Sequence, residues 1–231
     1  MVRFLLVLLI AMVLLAMAGT AFAYRLICIP TGEVLPEGIY KLEFSAPHND
    51  NGTDAWLPSY RFDGAVGNGF EIAVKGGCAP DRTRATNTQV NLNWQIAKET
   101  ADMPGYGVGI WNWYDSDDHK ANKESFFAGA FKTVKVPGMK YPVKFFLAAG
   151  TEQLNGMFGG VAIPLSKRFS AAAEYVPTGK KGCKSLMLPG EDSHLVWALG
   201  YNQTPNWRFK YANVGGDSAW GVVYTSKWLQ K

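Results

Sequence analysis

Beyond Met17 the chain has no apolar run approaching membrane-helix length. A bilayer-spanning helix needs about 20 such residues, so a helical membrane domain is excluded for the rest of the sequence. Cysteine is scarce: Cys28, Cys78 and Cys183. That excludes a disulfide-dense scaffold, and the absence of C-x-x-C or a zinc-ligand spacing leaves no metal motif. There are three histidines, no Gly-x-Ser-x-Gly elbow and no His-Glu-x-x-His helix. No motif asks for a cofactor. The formal charge is +4, or +3 without Arg3, too small an excess to imply a nucleic-acid partner. Helical periodicity is almost missing as well.

What is present begins with Met1-Val2-Arg3, the apolar run Phe4–Met17, and a small-x-small step at Ala21-Phe22-Ala23. This pattern predicts a cleaved secretory signal peptide over 1–23. An odd number of cysteines in an oxidising compartment allows one disulfide. Cys78 and Cys183, both in glycine- and lysine-flanked loops, are the candidate pair.

Period-2 alternation dominates the remainder. In Thr88–Ile96, Val90, Leu92, Trp94 and Ile96 alternate with Gln89, Asn91, Asn93 and Gln95. Twelve such segments are predicted: Gly38–Pro47, Pro58–Val66, Gly69–Gly77, Thr88–Glu99, Tyr106–Tyr114, Phe126–Val136, Tyr141–Gly150, Met157–Ser166, Phe169–Pro177, His194–Gln203, Trp207–Gly215 and Ala219–Trp228. Their lengths suit tilted membrane strands of roughly 9–11 residues better than soluble strands. Long and short connections largely alternate, as in outer-membrane barrels with long outer loops and short periplasmic turns. The reading is therefore an all-β, antiparallel up-and-down transmembrane barrel over 38–231, preceded by a lead over 24–37. Pro30, Gly32, Pro36 and Gly38 predict a periplasmic or lumen-entering course for that lead rather than a further strand. Phe126–Val136 and Tyr141–Gly150 alternate poorly.

One face of the strands is apolar, with Tyr40, Leu42 and Phe44 as its first members. The other carries Lys41, Glu43, Arg61, Asp63, Glu71, Lys75, Gln89, Asn91, Asn93, Gln95, Glu174, Arg208 and Lys210. In a barrel this second face lines the lumen, where charges of both signs neutralise each other. Trp94, Trp111, Trp113, Tyr114, Tyr175, Trp197, Tyr201, Trp207, Trp220, Tyr224 and Trp228 lie near strand ends, as interfacial girdles require. The competing reading is a soluble, secreted β-sandwich that binds a ligand or partner, its aromatics filling a core.

The segment Leu26-Ile27-Cys28-Ile29-Pro30-Thr31-Gly32-Glu33-Val34-Leu35-Pro36-Glu37-Gly38, running into Ile39–Phe44, resembles the opening of the YjbH-like outer-membrane proteins associated with exopolysaccharide production. Phe158-Gly159-Gly160-Val161, the Ala-Glu-Tyr ending of Phe169–Tyr175, and Ala198-Leu199-Gly200-Tyr201-Asn202 resemble later parts of that family. The resemblance covers the lead and about the last third, and the chain is much shorter than full-length members. It implies an outer-membrane barrel linked to surface polysaccharide, with outer-membrane lipid around it and a saccharide as a candidate partner.

Chemistry-bearing clusters are few. Ser193 and His194 sit beside the longest outer loop, and His48 in another, which admits a rim lipid hydrolase. Neighbouring side chains on a strand point to opposite faces, which argues against that pair. Asp115-Ser116-Asp117-Asp118-His119 is acidic but lacks the glycine and closing glutamate of a calcium loop. Asn51-Gly52-Thr53 fits a glycosylation sequon. These are read as solvated loop residues. The expected protein is a non-enzymatic barrel passing a saccharide-like solute, or one closed by its own side chains.

Overall fold

The computed structural model describes residues 29–49, 55–56, 59–77, 88–115, 124–175, 195–214 and 217–227. The expected signal peptide, all three cysteines, Ser193, His119, His194, the Asn51 sequon and the acidic loop after Asp115 lie outside these residues. No helix among the described residues is long and apolar enough to cross a membrane.

The elements are β1 (Ile39–Asn49), β2 (Ala55–Trp56), β3 (Ser59–Gly67), β4 (Phe70–Gly77), β5 (Gln89–Ala97), β6 (Gly105–Asp115), β7 (Ser125–Val134), β8 (Val143–Gly150), a 3-10 turn (Glu152–Leu154), β9 (Gly156–Pro164), β10 (Phe169–Tyr175), β11 (Leu195–Asn202), β12 (Trp207–Val214) and β13 (Asp217–Lys227). Apart from β2, a two-residue rung on the far end of β1, each strand pairs antiparallel with its sequence neighbours. β1 and β13 then pair from Ile39↔Lys227 to Pro47↔Ala219, which closes a twelve-stranded barrel. Closure removes both sheet edges. A two-sheet sandwich is thereby overturned.

Alternation builds each strand, and local turn chemistry ends it. Between β3 and β4, Asn68 and Gly69 have φ of 52° and 77°, the two positive values of a type I′ hairpin turn whose twist matches the strands. This turn and the β5–β6, β7–β8, β9–β10 and β11–β12 connections share one end of the barrel with the start of β1 and the end of β13. The ends of β1, β4, β6 and β10, which lead into the longer connections, lie at the other end with the Glu152–Leu154 turn.

All twelve barrel strands expose at least one large apolar side chain, among them Phe44, Phe70, Trp94, Leu147, Leu199, Phe209 and Trp220. A continuous apolar belt of this kind is far beyond what a soluble monomer leaves in water. Rings mark both margins. Near the short-turn end Phe70 stacks on Trp94 at 5.2 Å, Phe169 meets Tyr201 at 5.0 Å and Trp207 meets Tyr224 at 4.8 Å. Toward the long-loop end Trp197, Tyr211 and Trp220 follow one another at 5.5 and 4.7 Å. An apolar band between two aromatic girdles is the exterior that a hydrocarbon layer with two polar interfaces selects. The protein is an outer-membrane barrel, with membrane lipid against this belt.

One irregularity of the pattern is explained, and one expectation needs correcting. The weak alternation of β7 and β8 arises because Phe127, Phe131 and Phe146 point inward and are buried, so both faces of these strands are largely apolar. Trp111 is not in a girdle: it is 1% exposed and lies inside. Beyond it β6 bulges against β5, the pairing stepping from Leu92↔Ile110 to Val90↔Tyr114. Asn112 takes φ of 57° there. Its N–H donates to Asn91 Oδ1 at 2.8 Å, which holds a conformation that side chains other than asparagine rarely adopt.

Candidate functional site: a lumen entered by its own lead

The charged side of the interior is built from direct cross-strand pairs. Lys41 faces Asp63 and Glu43 faces Arg61 across β1 and β3. Opposite charges at such positions reach each other without leaving the sheet. Lys41 Nζ lies 2.7 Å from Asp63 Oδ2, and Arg61 Nε donates to Asp63 Oδ1 at 2.6 Å. Asp63 is fully buried and held by two cations. Further round, Lys210 on β12 pairs with Glu43, and Arg208 donates to Ser170 on β10. Glu71, Gln89, Asn91, Asn93 and Glu174 are buried as well, while Lys75, Gln95 and Lys210 are half-buried. All thirteen polar residues singled out from the alternation thus stand on the less exposed face of their strands.

The other side of the interior is aromatic. Trp111, Phe127, Phe131, Phe146 and Phe158 form one buried cluster with Ile29 and Leu154. Leu154, on the 3-10 turn after β8, covers it from the long-loop end and is fully buried.

Between these two sides runs the lead. Leu35 N–H donates to Glu71 Oε2 at 2.7 Å, Val34 N–H to Gln95 Oε1 at 3.3 Å, and Asn93 Nδ2 donates to the Glu33 carbonyl at 3.0 Å. The lead's backbone groups are therefore satisfied by inward side chains of β4 and β5, as buried peptide groups must be. On the far wall Glu33 Oε1 meets Lys144 Nζ of β8 at 2.7 Å. Desolvation raises the Glu33 carboxyl above its ordinary range, and the Lys144 ammonium opposes that rise.

A seat for the lead is cut into β6 and β7. Their inner faces read Gly105, Gly107, Gly109, Trp111 and Phe131, Gly129, Phe127, Ser125, paired in that order. Phe131 lies over Gly105 and Phe127 over Gly109, which leaves Gly107 opposite Gly129 as a notch. Gly32, at φ of 76°, occupies it: a Cβ on Gly107 would stand 2.2 Å from the Gly32 carbonyl oxygen, and one on Gly129 3.1 Å from the Thr31 oxygen. Only glycine lets the two backbones come this close. Sequence reasoning did not find this seat or the lead's partners. The signal available was the Gly-x-Gly-x-Gly run of β6 beside a single mid-strand glycine in β7.

Among the described residues no cluster of His, Cys, Asp and Glu could hold a metal ion. The side chains assembled here can hydrogen-bond, pair charges and stack, and they present paired charges and amides around a short peptide.

No protein-family model matches the chain, and no curated protein does. Among solved structures, the NanC porin is similar, with a TM-score of 0.47 and 12% identity over 81% of this chain and 100% of that one. The outer membrane protein Omp33 of Acinetobacter baumannii gives 0.46 and 9% over 83% and 99%. The translocator domain of the autotransporter NalP from Neisseria meningitidis gives 0.35 and 14% over 81% and 85%.

Proposed function

We propose that the protein is a non-enzymatic outer-membrane barrel whose lumen is kept closed by its own lead, Ile29–Glu37, and which admits small saccharide-like solutes when that lead is displaced. The observation that carries this reading is the lead's bonding. Its peptide groups are held by the side chains of Glu71, Asn93 and Gln95, and its carboxylate by Lys144. Such bonds can be exchanged for bonds to water or to a solute hydroxyl, whereas a strand's ladder cannot be given up without opening the barrel. The amides and paired charges of the lumen suit sugar hydroxyls, which both donate and accept. Together with the likeness of the lead to the YjbH-like proteins, this supports a role in surface polysaccharide production.

Planar-bilayer recording tests it. The wild-type chain is expected to be nearly silent. Glu33→Lys, which sets two ammonium groups against each other, is expected to give stable conductance that maltohexaose reduces. Silence of Glu33→Lys, with the barrel shown intact by its faster unboiled migration on a gel, would remove the displaceable-lead reading.

A further inference from the structure

On the outer wall, behind the lead's seat, the belt is recessed. Two cross-strand rows define the place. One runs Phe70, Trp94, Val108, Ala128, Ala149 over β4 to β8, and the other Ile72, Leu92, Ile110, Phe126 over β4 to β7. Along the first row the side chains shrink from two stacked rings to two alanines, while Phe126 stands up at the end of the second. Between them lies a hollow of about 820 Å³ lined almost wholly by carbon. Leu92, Val108 and Ile110 point outward with no strand over them, yet are only half exposed because the rings beside them overhang.

We propose that this recess is a binding site for one acyl chain of an outer-membrane lipid. It opens in the belt, so the medium that meets it is hydrocarbon. Its lining offers dispersion contact and nothing that would hold a headgroup, so the guest is selected by shape and apolarity. A second copy of the barrel fits poorly. A two-fold contact would set hollow against hollow and leave the space between the copies unfilled. A slender, flexible chain fills it without a void. The site is independent of how the lead behaves, since none of its lining belongs to Ile29–Glu37.

Native mass spectrometry of the full chain in mild detergent, supplied with dipalmitoyl phosphatidylethanolamine, is the test. The wild type is expected to retain one lipid at activation energies that strip the rest. Phe209→Ala, in the belt on β12 and outside the recess, is expected to do the same. Ala128→Trp fills the hollow and is expected to lose that lipid. Ala149→Leu, a milder filling, guards against failure of the first variant to fold, and faster unboiled migration verifies each barrel. Equal retention by wild type and both filled variants would overturn the proposal. So would no retained lipid on the wild type, or a wild-type dimer that Ala128→Trp dissociates.

Discussion

Asp63→Ala is expected to destabilise the barrel by about 3–5 kcal/mol, the cost of breaking a buried ion pair by removing one partner. Asp63 is 0% exposed, and Lys41 and Arg61, both nearly as buried, converge on its two oxygens. Their removal from water is offset in large part by this carboxylate, which answers both. Without it, two cations share one wall of the lumen with less compensation. Asp63→Asn, which keeps the shape and a carbonyl acceptor, should lose less. Removing Lys41 together with Asp63 should recover part of the loss, since one charge of each sign then leaves. Urea unfolding of the refolded barrel in lipid vesicles measures all three. A loss below about 0.5 kcal/mol for Asp63→Ala, the range of an unremarkable surface change, would mean that Asp63 is not buried between cations.

Leu199→Arg is the second large effect, expected at about 2–4 kcal/mol for a charge set on the lipid face of a barrel near mid-membrane. Leu199 is 48% exposed and lies within β11, with the outward Trp197 and Tyr201 two residues to either side. In water, arginine at a half-exposed strand position would cost almost nothing. The size of the loss, read by the same unfolding experiment, therefore reports the medium outside the belt. A value near zero would mean that the belt does not face hydrocarbon.

The strands were legible because a half-buried strand must alternate, whatever lies on either side of it. All twelve predicted segments stand within two residues of the observed ends, as with Phe126–Val136 against Ser125–Val134. Which face turned inward was also legible wherever the inward side chain was polar, as in Gln89, Asn91 and Asn93. The pattern blurred where the interior is apolar. Phe127, Phe131 and Phe146 alternate with glycine, alanine and further apolar residues, and no polarity difference separates the faces. Trp111 was misread for a related reason: the bulge around Asn112 breaks the phase of β6, and a tryptophan near a strand end suits a girdle as well as a lumen. The lead's course left the weakest trace. Its contacts are mostly made by backbone groups of Glu33, Val34 and Leu35, which every sequence possesses. Its seat is made of glycines, which signal room without saying what fills it. The Glu33–Lys144 pair joins residues 111 positions apart, a distance over which composition and spacing are silent.

The central claim is that the lead lies inside the closed barrel, and zero-length carbodiimide crosslinking in intact outer membranes tests it most directly. The Glu33 carboxylate and the Lys144 ammonium, 2.7 Å apart, should condense to an isopeptide bond. Mass spectrometry of the digested, faster-migrating unboiled band should recover one peptide joining the lead to β8. A folded barrel that yields no such peptide, with Glu33 instead modified as a free carboxylate, would contradict the account.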